Sequence, residues 1–200
     1  DNYVPYLFSN AEIQRIFKEV DSMKFPSGGN LRLELPMLLR MFYCCGFRLS
    51  ELLAVRIGDI SFERGVVFLK NTKNRKQRLV PLGNTLTETL NRYCLAMDLI
   101  NSPNNYIFPG RNCGTHISRC QVEHVFKELL ENLGIYTRPN EHTKGPCLHC
   151  FRHLFALKSF AQAEQAGRPV NDSIPFLSIY MGHCDLTETE KYLKFSSDMF

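Results

Sequence analysis

The chain has 200 residues, 44% of them hydrophobic and 22% charged, the balance of one packed globular domain of ordinary size. No run approaches the roughly 18 uncharged apolar residues of a membrane span, so no membrane partner is expected. A net charge of +4 is too small to imply a polyanion partner by itself, so any such partner must be argued from where the cations lie.

The chain opens on Asp1 and shows no basic-plus-apolar leader; we expect a fragment of a longer protein, forming a single domain over 1–200. Ser9-Asn10-Ala11-Glu12 is a capping box, and Ile13, Ile16, Phe17 and Val20 follow at helical spacing. Leu31 to Cys45 is apolar enough for a buried helix, with Pro36 expected to restrict or kink its early part and Gly46 to end it in a left-handed cap. Ser50 is expected to cap the next helix, whose apolar face is Leu52, Leu53 and Val55. Arg48 then stands two residues ahead of a helix N-terminus, an end that already favours anions. The competing reading pairs Arg48 with Glu51 on the surface.

Asp59 to Phe62, Val66 to Lys70 and Arg78 to Leu82 read as three short strands, with Pro81 marking an edge or a strand end. Between Arg64 and Arg78 lie six basic residues (Arg64, Lys70, Lys73, Arg75, Lys76 and Arg78) and no acidic one. Such a hairpin is either a solvated tip or a contact to a phosphate backbone. Thr85 to about Ile100 is helical, its inner face Leu86, Leu90, Tyr93, Cys94 and Met97. Ser118 to Gln121 is a second capping box, and it opens a helix through Leu133 that Gly134 closes. Residues 136–147 form a polar loop. Helices follow from about His149 to Ala166, and from Ser173 to Met181 with Pro175 in the first turn. A last helix, capped at Thr187, carries Tyr192. The expected class is mixed α+β, mainly α-helical, with a small antiparallel three-stranded sheet.

The eight cysteines show no disulfide-framework spacing, which fits a reduced, cytoplasmic setting. Cys147-x-x-Cys150, with His142, His149 and His153 nearby, invites a zinc reading. No second Cys-x-x-Cys accompanies it, so no metal is expected.

The chemistry gathers in the last quarter. His149 and Arg152 are three apart on one helical face, Gly182-His183 follows, and Tyr192 comes nine residues later. Arginine clamps phosphate oxygens in a bidentate grip, histidine exchanges a proton near neutral pH, and tyrosine can be a covalent nucleophile.

Taken in order, these pieces resemble the catalytic domain of the tyrosine recombinases, the phage-type integrases and their Cre-like and Xer-like relatives. The family's first arginine motif resembles Gly46-Phe47-Arg48-Leu49-Ser50-Glu51-Leu52. Its sheet-borne lysine is matched by Lys73, with Lys70 and Lys76 as competitors. Its His-x-x-Arg box is matched by His149 and Arg152, its Gly-His by Gly182 and His183, and its nucleophile by Tyr192. Phe151 and Met181 stand where the family usually has leucine, both apolar changes expected to alter packing only. Eight residues follow Tyr192, and the family's N-terminal DNA-clamping domain has no counterpart in these residues.

The resemblance implies a site-specific recombinase acting on double-stranded DNA through a covalent 3′-phosphotyrosyl link, with self-association into a tetramer on DNA and no cofactor. Tyr192 would attack the phosphodiester. Arg48, Arg152 and His183 would hold the phosphate, His149 would take the tyrosine proton, and Lys73 would protonate the leaving 5′-oxygen. Arg64, Lys70, Arg75, Lys76 and Arg78 would touch the backbone, and His153 would play a supporting role. Three other readings are a type IB topoisomerase-like nicking and closing enzyme, a DNA-binding module that does not cut, and a zinc-stabilised interaction domain.

Overall fold

The computed structural model describes residues 5–23, 30–70, 77–136 and 145–196. Helix α1 (Asn10–Ser22) begins with the expected reciprocal cap: Ser9 Oγ accepts the Glu12 N–H at 3.2 Å, and the Glu12 carboxylate accepts the Ser9 N–H at 2.8 Å. Ile13, Ile16 and Val20 form its buried stripe. Helix α2 (Leu31–Cys45) runs through Pro36 as one helix, with Leu35, Leu38, Leu39, Met41 and Phe42 buried. It ends at Gly46, in the left-handed region at φ 60°. A Cβ there would also lie 2.5 Å from the Phe155 ring, so both the turn and the packing demand glycine.

The next helix, α3 (Leu49–Leu53), corrects the expectation that Ser50 is its cap: Arg48 is the cap residue, and Ser50 lies inside the helix. The Glu51 carboxylate accepts the Arg48 N–H at 3.2 Å, so a glutamate three residues on does the work assigned to the serine hydroxyl. Strands β1 (Ile60–Ser61), β2 (Val66–Leu69) and β3 (Arg78–Pro81) form an antiparallel sheet in that order. Val67 faces Ile60 on one side and Val80 on the other. Val67, Leu69 and Val80 point into the core, the alternation expected of a half-buried sheet.

Helix α4 (Asn84–Ala96) packs on α2, and α5 (Arg119–Asn132) packs on α1 and α3. In α5 only half of the expected box is present, Ser118 Oγ accepting the Gln121 N–H at 3.1 Å. Helix α6 (His149–Gln165) threads the centre, packed on α2. Phe151, fully buried, meets Phe8, Phe17, Tyr43 and Phe126 at ring-centroid distances of 5.2 to 6.5 Å. Phe151 is thus the hub of an aromatic cluster.

Helix α7 (Val170–Met181) starts three residues earlier than expected, placing Pro175 inside the helix and not in its first turn. The Ser173 hydroxyl bonds back to the Pro169 carbonyl at 3.3 Å, behaviour of a serine within a helix, not at its cap. In α8 (Thr187–Ser196) the cap is likewise displaced: the Asp185 carboxylate accepts the Glu188 N–H at 3.1 Å and the Thr187 hydroxyl. A small second core joins α6 (Ala156, Leu157, Phe160), α7 (Ile174, Leu177, Met181) and Tyr192 of α8. The tyrosine is therefore itself the apolar anchor that docks its helix.

Candidate active site

Two helix C-termini aim their carbonyls at one point, and two guanidiniums sit on them. Arg152, 1% exposed on α6, donates to Gly46 O at 2.6 Å and to Met181 O at 2.7 Å. Arg48 donates to Met181 O at 3.3 Å and to Gly182 O at 3.1 Å. The negative end of a helix dipole suits a cation, so α2 and α7 stabilise the charges and orient them.

Beneath Arg48 lies Glu51, 3% exposed, accepting from Arg48 Nη1 at 3.0 Å. Its two oxygens also accept from Arg78, at 3.0 and 2.7 Å. Burial alone would raise the Glu51 pKa, but the paired guanidiniums outweigh it and hold the carboxyl below its ordinary value. The basic stretch from Arg64 to Arg78 predicts that Arg78 faces DNA. Arg78 is turned inward instead, giving the buried carboxylate a second, bidentate guanidinium partner besides Arg48. Its guanidinium lies against Gly182, where a Cβ would come within 2.6 Å of Nη1.

His183 sits on the left-handed turn after Gly182 (φ 65°), its ring fixed on both sides. Nε2 lies 3.1 Å from Arg152 Nη2, and Nδ1 lies 2.6 Å from Thr189 Oγ1. A guanidinium can only donate, so Nε2 accepts and the proton is on Nδ1. Burial and the nearby Arg152, Arg48 and Arg78 push the imidazole pKa down to about 4, and the ring is neutral. While Nε2 accepts from Arg152 it cannot donate to a phosphate.

Tyr192 is 5% exposed and stacks on His183, with ring centroids 6.0 Å apart and planes at 23°. His153 packs on it at 5.4 Å. Burial raises the tyrosine pKa, and Arg152 and Arg48 pull against that rise. His149, the first residue of α6, lies edge-on to His153 at 4.7 Å and lines an open cleft of about 470 Å³. Arg48, Arg119, Phe126, Lys127 and Cys147 share that cleft wall.

Arg48, His149, Arg152, His183 and Tyr192 are thus brought to one place by the starts of α3 and α6, the turn after α7 and the middle of α8. Lys73, Arg75, Lys76 and His142 lie outside the described residues. Arg64 is exposed at the β1–β2 turn, and Lys70 is exposed with Nζ 2.5 Å from Asp59. Among the described residues no group of three or more His, Cys, Asp or Glu could hold a metal ion. Sequence reasoning missed the buried Glu51–Arg78 pair and Thr189. Thr189 was discoverable, three residues before Tyr192 on the same helical face.

The sequence profile of the phage integrase family matches residues 7–198. The chain belongs to the phage integrase family. The tyrosine recombinase XerC of Xanthomonas axonopodis pv. citri is 31% identical over 170 residues, covering 85% of this chain and 50% of that protein. The tyrosine recombinase XerA of Pyrococcus horikoshii is 27% identical over 191 residues, covering 96% and 57%. Among solved structures, the XerH site-specific recombinase bound to palindromic difH substrate superposes with a TM-score of 0.74 at 19% identity, covering 98% of this chain and 51% of that one. This integrase-family chain therefore spans about half the length of the relatives it matches, and its fold is that of their catalytic domains.

Proposed function

We propose that this chain is the catalytic domain of a site-specific tyrosine recombinase, which cuts and rejoins double-stranded DNA through a 3′-phosphotyrosyl intermediate. The observation that carries the reading is a buried tyrosine stacked on a neutral histidine, facing two guanidiniums held by helix C-termini. Tyr192 attacks the phosphorus in line, and the phosphate–5′-oxygen bond breaks as the phosphotyrosyl bond forms. Arg48 and Arg152 hold the non-bridging oxygens as negative charge builds there. His149 accepts the phenol proton, and Lys73 returns one to the departing 5′-oxygen. His183 positions Arg152, and it reaches the phosphate itself only after Arg152 Nη2 has turned to a phosphate oxygen.

The same steps in reverse join a new 5′-hydroxyl, so bond energy is conserved and no nucleotide cofactor is needed. Recombining two duplexes cuts four strands and each chain carries one nucleophile, so self-association on a specific site belongs to the proposal. The exposed cations Arg64 and Lys70, together with Arg75 and Lys76, would meet the DNA backbone. A cytoplasmic location fits this substrate and the eight unpaired cysteines.

The experiment is covalent trapping on a nicked substrate carrying the recombination site. The wild-type chain, extended to its natural length if it does not assemble alone, forms a denaturation-resistant adduct; Tyr192→Phe does not, yet binds the same DNA. An adduct formed by Tyr192→Phe at the wild-type rate would place the nucleophile elsewhere.

A further inference from the structure

Cys147 and Cys150 form a dithiol at the start of α6 that strand cutting does not use. The Cys150 N–H donates to Cys147 O at 3.0 Å, closing a turn that brings the two sulfurs to 3.7 Å. The Cys147 N–H also points at Cys150 Sγ, at 3.3 Å. The two thiols differ in access: Cys147 is exposed on the cleft wall, while Cys150 is 1% exposed. They differ in acidity as well. The hydrogen bond from Cys150 holds Cys147 well below the ordinary thiol range, and the same bond with burial pushes Cys150 up. An exposed nucleophilic sulfur beside a buried resolving one is the arrangement that oxidises reversibly.

We propose that Cys147 and Cys150 are a reversible oxidation site, closed to a disulfide by hydroperoxides, and that closure displaces His149 and slows DNA cleavage; its second half rests on the strand-cutting reading. The Cys147 thiolate attacks one peroxide oxygen, and the O–O bond breaks. The leaving alkoxide or hydroxide takes a proton from water, and Cys147 is left as a sulfenic acid. Cys150 sulfur then attacks Cys147 sulfur; the S–O bond breaks and the hydroxide leaves as water with the Cys150 proton. Two thiols are oxidised by two electrons, and the peroxide is reduced to an alcohol, or water, plus one water.

Closure must shorten 3.7 Å to the disulfide length of about 2.05 Å. Cys150 is locked in the core, so Cys147 and the backbone between the sulfurs make the movement. His149 lies in that short stretch, and its position on the cleft wall follows it.

The test treats the chain with hydrogen peroxide, blocks remaining thiols by alkylation and maps the peptides. A Cys147–Cys150 crosslink lacking two hydrogens is expected, reversed by dithiothreitol and absent in Cys147→Ser. The His149 imidazole resonances should move between the two forms of the wild type and stay put in Cys147→Ser. Cleavage by the oxidised form should fall about a hundredfold, the effect of displacing a reacting group by about 1 Å, and recover on reduction. Cys147→Ser should cleave equally with and without peroxide. Oxidation landing on Cys44 or Cys184 instead would overturn the site, and a disulfide that leaves the His149 resonances unmoved would overturn its consequence. Reduced protein that never cleaves would count against the recombinase reading alone, since the crosslink and the resonances still decide the oxidation site.

Discussion

Arg48 and Arg152 donate to the same carbonyl oxygen, that of Met181, at 3.3 and 2.7 Å. One arginine caps the short helix after α2 and the other lies in α6, so their separation is fixed by the last turn of a third helix. Two like charges this close are costly in a dry site, and burial with the neighbouring Arg48 lowers the Arg152 pKa to about 10. Arg152 stays cationic at neutral pH, and an arriving phosphate would relieve the repulsion. The site is strained toward anions.

From this comes the prediction for Arg152→Lys. An ammonium keeps the charge but cannot span Gly46 O and Met181 O as the guanidinium fork does. Cleavage should fall about a hundred- to a thousandfold, the scale of losing one oriented oxyanion donor. Single-turnover rates on the nicked substrate measure it, and a near-wild-type rate would mean that charge alone suffices.

Stability should depend on pH through two histidines. Burial, with His149 and Arg152, pushes His153 down to about 3, and His183 is pushed down to about 4. The unfolded chain takes up these protons near pH 6.5, whereas the folded one refuses them until far lower. Their contribution is fully present above about pH 6.5 and is lost as pH falls toward 4. Urea midpoints at pH 7 and pH 5 read the slope, and His153→Leu should make it shallower. An unchanged slope in that variant would show that His153 does not carry it.

Much of this was legible in the sequence, for a physical reason: local signals survive folding. The Ser9–Glu12 box, the Gly46 stop and the alternation of Val66–Leu69 depend only on neighbours in the chain. The missed details are tertiary. Glu51 reads as a surface partner of Arg48 until Arg78, 27 residues away, is seen to share its carboxylate. Arg78 looks like one more hairpin cation because nothing local marks it as turned inward. The caps of the Arg48 and Tyr192 helices were misplaced by two residues each, since Glu51 and Asp185 outcompete the nearer hydroxyls of Ser50 and Thr187.

Glu34 gives a prediction away from the site. It is buried on α2, Oε1 has no hydrogen-bond partner among the described residues, and burial raises its pKa from 4.5 to about 7. The unfolded carboxyl ionises near 4.5 and the folded one only near 7, so Glu34 increasingly destabilises the fold as pH rises between those values. Glu34→Met removes the unsatisfied group at similar volume and should stabilise more at pH 8 than at pH 5. A gain on the order of 1 kcal/mol corresponds to about 2–4 °C in Tm for a domain of this size. An equal shift at both pH values would exclude ionisation as the cause.

Cleavage should also survive excess chelator. Arg48 and Arg152 supply the positive charge that a divalent cation provides in many phosphoryl-transfer sites. The nicked substrate incubated with the chain and a chelator reports this directly, and activity restored only by added magnesium or zinc would overturn the assignment of that charge to arginine.

The last prediction separates backbone strain from the site by comparing two glycines. Gly167 and Gly182 both follow a helix in the left-handed region, at φ 78° and 65°. Alanine at either position should cost about 1–2 kcal/mol in the backbone alone. A Cβ at Gly167 meets nothing within 4 Å, whereas one at Gly182 would lie 2.6 Å from Arg78 Nη1. Arg78 cannot step aside cheaply, because both its terminal nitrogens are bound to the buried Glu51 carboxylate. The Gly182 turn must move instead, and with it the Met181 and Gly182 carbonyls that hold Arg48 and Arg152. Gly167→Ala should therefore lose stability and keep its cleavage rate, while Gly182→Ala loses more stability and cleaves far more slowly. Thermal melts and single-turnover cleavage on both variants decide it: equal losses of stability with cleavage intact in both would mean that the two arginines do not depend on this helix end.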